Sequence, residues 1–169
     1  MKGFLTYRQT AAALFLIPAA LLSFGYYLQF VEGIEPCPLC MTQRLCFYFV
    51  AMFALLSLIG SQSLLWRRIS NALIMLGTIT GLSTAARQLW LQNLPADQVP
   101  ACGPSFEFII QTFPLSEAIG IMFKGTGDCA EVSWTFLGLS IAAWSFIFFS
   151  GLLLVAAAQL FRPLADRNL

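Results

Sequence analysis

The 169-residue chain has no histidine, and only 10% of its residues are charged. Without imidazole there is no histidine ligand for zinc and no side chain of the usual kind to carry a proton near neutral pH. Nine basic and eight acidic residues leave a net charge of +1, so nothing in the charge balance points to nucleic acid. The shortage of charge also excludes an ordinary soluble domain. With 59% hydrophobic residues and a mean hydropathy of +0.78, too few polar side chains remain to face water. No repeat, low-complexity tract or appended soluble domain is visible, and residues 1–169 read as a single integral membrane domain.

What is present in quantity is long apolar runs. Four are long enough to cross roughly 30 Å of hydrocarbon at about 20 residues each. They lie near Ala11 to Phe30, Leu45 to Leu65, Ile69 to Leu91 and Trp134 to Phe161. A lipid-exposed backbone must satisfy its own N–H and C=O groups, and a closed barrel would show ten-residue alternation instead. The predicted fold is therefore an all-α membrane protein, a bundle of four transmembrane helices with two cysteine-bearing loops near 31–44 and 92–133. Lys2 and Arg8 before the first run, with Ser23-Phe24-Gly25 within it, loosely resemble a cleaved signal peptide. The run continues to Phe30, and it is read as an uncleaved first helix.

Lys and Arg near span ends stay in the cytoplasm. Lys2, Arg8, Arg67, Arg68, Arg162 and Arg167 fall on one side if four spans alternate. Glu32, Glu35, Asp97, Glu107, Glu117, Asp128 and Glu131 fall on the other, with Lys124 the clear loop cation there. Both termini are expected in the cytoplasm, and both cysteine loops outside it, where disulfides persist. The connection from Ser61 to Arg68 is a short basic turn. The long outer loop holds Pro95, Pro100, Pro104 and Pro114, and a loop of that length is usually functional or disordered. Within it Phe106, Ile109, Ile110 and Phe113, then Leu115, Ala118, Ile119 and Met122, recur at helical spacing. Two short amphipathic helices fit, the second lying either along the membrane surface or packed on the bundle top. Gly77, Gly81 and Ala85 form a small ridge that lets another helix approach.

Chemistry concentrates in the cysteines. Cys37-Pro38-Leu39-Cys40 is a Cys-x-x-Cys pair, which suits exchange better than stapling. The second helix is expected to open just after Cys40, placing that sulfur at the positive end of the helix dipole. Arg44 follows one turn later, which puts its guanidinium beside Cys40 and farther out near Cys37. Snorkelling would explain an isolated arginine there. Beside two thiols, an always-ionised cation suits stabilising a thiolate and the developing oxyanion of a carbonyl acceptor from the lipid, and a quinone fits. Arg87, at similar depth, reads as a snorkelling side chain rather than a ligand contact. Cys102 and Cys129 would close a ring worth about 3.5 kcal/mol in chain entropy. Taken alone, structural and redox readings of that pair are equal; the Cys-x-x-Cys tips the balance to redox. Cys46 reads as a small buried apolar residue. Zinc on the four loop cysteines is disfavoured by the wide split of the second pair and by an oxidising compartment, so no metal is expected.

Cys37-Pro-Leu-Cys-Met-Thr-Gln-Arg44, the split pair Cys102 and Cys129, and Gly127-Asp-Cys-Ala-Glu131 followed by Trp134 and Phe136-Leu-Gly-Leu139 resemble the bacterial disulfide bond formation protein B family, DsbB. The likeness spans essentially the whole chain. It implies a quinone-dependent thiol oxidase of the bacterial inner membrane that reoxidises a DsbA-like periplasmic thioredoxin-fold protein. It also implies that Cys102 forms the mixed disulfide with that partner, that Cys37 faces Cys129 as electrons pass between the loops, and that Cys40 delivers them to ubiquinone or menaquinone with Arg44 polarising the acceptor. Many family members carry a histidine near the quinone. Aligning on Leu91-Gln92 places Gln88 there, leaving water or Gln88 hydrogen bonding to serve in its place. Two other classes compete. A non-enzymatic membrane anchor would have inert disulfides that resist alkylation after mild reduction. A protein similar to vitamin K epoxide reductase would carry its Cys-x-x-Cys late in the chain, not at the opening of the second helix.

Overall fold

A computed structural model describes residues 6–60, 63–103 and 106–160. Lys2, Ser61, Pro104, Phe161, Arg162 and Arg167 lie outside them, as do the side chains of Phe106, Glu107 and Ile110. Among the described residues, four helices are long and apolar enough to cross a membrane: α1 (Tyr7–Phe30), α2 (Pro38–Ile59), α3 (Leu64–Gln92) and α6 (Ile141–Leu160). Between α3 and α6 come two short helices, α4 (Phe106–Thr112) and α5 (Leu115–Lys124), then a single 3-10 turn over Gly127–Cys129. A two-stranded antiparallel hairpin follows, β1 (Thr135–Phe136) with β2 (Leu139–Ser140), in which Thr135 pairs with Ser140 and Phe136 with Leu139.

Local chemistry sets the helix ends. Thr6 caps α1 through a capping box with Gln9, so two amides that the helix itself cannot pair find oxygens. Pro18 sits buried inside α1 and removes one helical hydrogen bond, a loss tolerated within a packed membrane bundle. The second helix starts at Pro38, not near Leu45 and not after Cys40. Proline is well placed at the first helical position, where its missing N–H costs nothing, and Cys37 supplies the cap. Cys40 therefore lies inside the first turn. At the other end Gly60 closes α2 and Ser63 caps α3, so Leu64 and Leu65 belong to the third helix. The fourth span begins at Ile141 rather than Trp134. Leu137 and Gly138 both take positive φ, 52° and 77°, which suits a two-residue hairpin turn and ends any helix there.

The core lies where α3 packs between α2 and α6. Phe47 of α2 stacks on Phe149 of α6, with ring centroids 4.0 Å apart. The small ridge on α3 makes this possible and serves two helices at once. Gly77 lies against Phe49 and Val50 of α2, while Gly81 lies under the Phe149 ring, where a Cβ would collide. Helix α1 packs on α2 but hardly touches α6. The bundle is thus open along one side, between α1 and α6. In α5, Ala118 is buried while Leu115, Ile119 and Phe123 are exposed, so the helix packs on the bundle and still presents an apolar stripe outward.

Candidate thiol-exchange site

The first turn of α2 leaves amides pointing outward with no helical partner, and sulfur atoms occupy them. Cys37 Sγ accepts from the Cys40 amide at 3.4 Å, and the two sulfurs of the Cys-x-x-Cys pair are 3.0 Å apart. A third sulfur completes the row. The 3-10 turn lays Cys129 over the ends of α2 and α3, fully buried with Leu39 and Leu91. Gly125, at φ +76°, lets the chain pass this close; a Cβ there would press on both leucines. The Cys129 sulfur meets the Cys37 thiol, the Leu39 amide and the Thr126 amide and hydroxyl. Cys129, Cys37 and Cys40 thus form a line of sulfurs running inward.

The electrostatics follow from that line. The Cys37 thiol is raised well above its ordinary value, first by its hydrogen bond with Cys129, then by that with Cys40 and by burial. Cys129 moves the other way, down to about 6. The Cys37 thiol is the largest cause and the Leu39 and Thr126 donors add to it, outweighing burial. Cys102 stands apart. It is exposed, and the Asp128 carboxylate beside it pushes its thiol up. Burial opposes ionisation of Asp128, but the Gly103 amide, Cys102 and Thr126 hold its carboxyl below the usual range.

Gln88, on α3, is buried. Its amide nitrogen donates to Cys40 Sγ at 3.2 Å and to Cys37 Sγ at 3.5 Å. Its oxygen accepts from Gln43 Nε2 at 2.7 Å, which fixes the amide so that nitrogen faces sulfur. The expectation for Arg44 needs correcting. Its guanidinium is held by α1, donating to Gln29 Oε1 at 2.5 Å and to the Gly25 carbonyl at 2.8 Å, and lies over the Tyr26 ring. Arginine reaches farther than one helical turn, so its guanidinium settles on partners of α1. Arg44, Cys37 and Cys40 line the same cavity. Arg87 donates to the carbonyl of Lys124, the last residue of α5, and lies over Trp90, so it ties α5 to the bundle. Cys46 is buried in the apolar core, as expected. Gln43 was missed by the sequence reading. Its spacing of three from Cys40 on one helix face was the available signal.

The cavity has a volume of about 530 Å³ and occupies the opening between α1 and α6. Leu21, Leu28, Phe47 and Phe148 give it apolar walls, Cys40, Gln43, Arg44 and Gln88 supply polar groups, and Trp134 and Phe136 lie across the outer side. The Trp144 indole donates to the Phe136 carbonyl at 3.1 Å and holds the hairpin in place. An apolar chamber of this size with a few convergent polar groups has the character of a small-molecule site.

The family model for disulfide bond formation protein DsbB matches residues 7–159. Disulfide bond formation protein B of Hahella chejuensis is 45% identical over 164 residues, covering 96% of this chain and 99% of the relative. The protein of that name from Marinobacter nauticus is 42% identical, covering 97% of this chain and 98% of its own. Disulfide bond formation protein B 1 of Pseudomonas aeruginosa PAO1 is 41% identical, covering 92% and 95% respectively. Matched end to end, with four helices able to span a membrane and the sulfurs of Cys37, Cys40 and Cys129 gathered at one end of them, the chain belongs to the DsbB family of disulfide bond formation proteins, multi-pass membrane proteins that make disulfides.

Proposed function

We propose that this protein is a dithiol:quinone oxidoreductase of the bacterial inner membrane, reoxidising a DsbA-like periplasmic thioredoxin-fold protein and passing the electrons to ubiquinone or menaquinone. Its termini lie in the cytoplasm and its cysteine loops in the periplasm. One observation carries the reading: the sulfurs of Cys129, Cys37 and Cys40 stand in a row that ends at a cavity shared with Arg44 and Gln88.

The cycle balances as successive exchanges. A thiolate of the reduced partner attacks exposed Cys102 in the Cys102–Cys129 disulfide, and Cys129 leaves as a thiolate. The partner's second thiol then displaces Cys102, so the partner departs oxidised with both loop cysteines reduced. Cys129 next attacks Cys37 of the Cys37–Cys40 disulfide, forming Cys37–Cys129 and releasing Cys40 beside the cavity. Cys102 attacks Cys129 in turn, which re-forms the loop bond and frees Cys37. A dithiol at Cys37 and Cys40 results.

The residues around the cavity fit a quinone: apolar walls for a ring and isoprenoid chain, and an arginine and two amides for carbonyl oxygens. When bound, the quinone supplies a two-electron, two-proton acceptor. Cys37 and Cys40 together release two electrons and two protons on closing their disulfide, so stoichiometry requires no histidine. Gln88 holds the Cys40 sulfur during that release, and Arg44, anchored on α1, orients the acceptor. The test is anaerobic mixing of the purified protein with reduced DsbA-like protein and a defined quinone, following quinone absorbance. Catalytic loss of quinone absorbance is expected, and an acceptor left unreduced while the dithiol is consumed refutes the reading.

A further inference from the structure

The segment that carries Cys102 is held by contacts that use no sulfur–sulfur bond. The Gly127 amide donates to the Ala101 carbonyl at 3.1 Å. Asp128 Oδ2 accepts from the Gly103 amide and from the Thr126 hydroxyl, each at 3.1 Å. The fit is close enough to exclude larger residues. A Cβ on Gly127 would strike the Pro100 carbonyl oxygen, and one on Gly103 would strike the Thr126 side chain. Residues 100–103 and 126–128 therefore lie backbone against backbone, with Cys102 inside one segment and Cys129 directly following the other.

We infer that this clasp, centred on the Asp128 carboxylate, is a positioning device that keeps Cys102 beside Cys129 while the two are unbonded, so that the loop disulfide re-forms after each exchange. The inference rests on the exchange order proposed above. In the step concerned, the Cys102 sulfur gives up its proton and attacks Cys129 in the Cys37–Cys129 link. The Cys102–Cys129 bond forms, the Cys37–Cys129 bond breaks, and Cys37 leaves as a thiolate that takes up a proton, with no net oxidation. Without the clasp, the chain between Cys102 and Cys129 is a long loop whose ends must find each other by diffusion, which lowers their effective concentration. Asp128 also raises the Cys102 thiol, so it acts through position and not by activating the nucleophile.

Two measurements test this on the full-length chain in lipid nanodiscs. With Cys37, Cys40 and Cys46 replaced by serine, the closure constant of the remaining pair is read against a glutathione buffer. Asp128→Ala should lower it about tenfold or more, whereas Asp128→Asn, which keeps an acceptor, should stay within about threefold. Thr126→Val removes one hydroxyl and preserves shape, and should produce a smaller fall of about threefold. No change in Asp128→Ala or in Thr126→Val overturns the inference, and so does an Asp128→Asn loss as large as that of alanine. With all five cysteines present, turnover with a reduced thioredoxin-fold dithiol and quinone should accumulate the Cys37–Cys129 species in Asp128→Ala. Its kcat should fall with KM for the dithiol protein unchanged. Absence of that species in a slowed variant also overturns the inference. Failure of the quinone reading would abolish turnover in the parent chain as well, while the glutathione constants would still report on the clasp.

Discussion

The depressed Cys129 thiol has a thermodynamic consequence that can be measured without any partner protein. Consider the chain with Cys40, Cys46 and Cys102 replaced by serine, leaving Cys37 and Cys129. Opening their disulfide takes up two electrons. If both products are thiols it also takes up two protons, and the reduction potential falls by about 59 mV per pH unit. Once Cys129 remains a thiolate only one proton is taken up, and the slope halves to about 30 mV per unit. With Cys129 lowered to about 6 and Cys37 raised, the break should come near pH 6. An ordinary thiol at 9.0 would place it three units higher. Between pH 6 and 8 the two cases diverge by about 60 mV, or about a hundredfold in the equilibrium constant. The sign is definite: above pH 6 the linked pair is the more easily reduced, which suits a transient bond between loops. The assay equilibrates the protein with a glutathione or dithiothreitol buffer at each pH, quenches with acid, and counts linked protein by mass. A single straight line at the steeper slope through pH 8 would show that the Cys37 thiol and the Leu39 amide do not hold Cys129 as a thiolate.

Three further outcomes are expected. Gln88→Leu removes the amide from two sulfurs and should slow quinone reduction about ten- to hundredfold, the range for a lost hydrogen bond to a charged group, while first-turnover oxidation of the partner dithiol keeps its rate. Gln43→Leu, which frees the Gln88 amide to turn and also takes one amide from the cavity wall, should slow quinone reduction while first-turnover oxidation of the partner dithiol keeps its rate, and equal slowing of both steps would count against the assignment. Arg44→Met should raise KM for quinone, and Gln29→Leu should do so in part because it removes the anchor and keeps the charge; a Gln29 variant with parental KM would show that the anchor is irrelevant. Gly81→Val drives a side chain into the Phe149 ring, an overpacking cost of about 1–3 kcal/mol, and should lower the thermal midpoint by roughly 2–12 °C, where an unchanged midpoint would refute the close packing of α3 on α6.

Hydropathy alone was enough to locate four spans, because about 20 apolar residues in a row have few other uses. It was poor at their ends. The second helix was expected to open after Cys40, yet a proline at the first helical position is favourable, and α2 starts at Pro38. Trp134 to Ser140 are apolar enough to extend the last span, and hydropathy does not register the backbone reversal at Leu137 and Gly138. The cysteines stood out as candidates because they are few and unevenly placed. Their mutual order was not readable from spacing, because burial of Cys129 depends on Gly125 passing between Leu39 and Leu91, a contact between segments far apart in sequence. Arg44 was expected beside Cys40, whereas its hydrogen bonds go to Gln29 and Gly25 of α1. Helical spacing fixes the direction of a Cβ, and a long flexible side chain can then turn to α1 for its partners.

The outer end of α3 explains how so many separate pieces reach one place. At 29 residues this helix is about 44 Å long, against about 30 Å of hydrocarbon, so its last turns have length to spare beyond the membrane core. Those turns hold four different elements within six residues. Arg87 holds the end of α5, Gln88 the Cys-x-x-Cys sulfurs, Leu91 the buried face of Cys129, and Gln92 accepts from Ser140 at the foot of the hairpin. Each contact alone is modest, but they share one rigid backbone, so moving that backbone moves all four together. A helix with the small ridge of α3 is pressed between α2 and α6 and has little freedom to rotate. The positions of the reactive sulfurs relative to the cavity are thereby referred to the packed centre of the bundle rather than to the long loop that carries two of them. This is why a proline-rich loop can leave Cys102 exposed and still hold Cys129 in a fixed place.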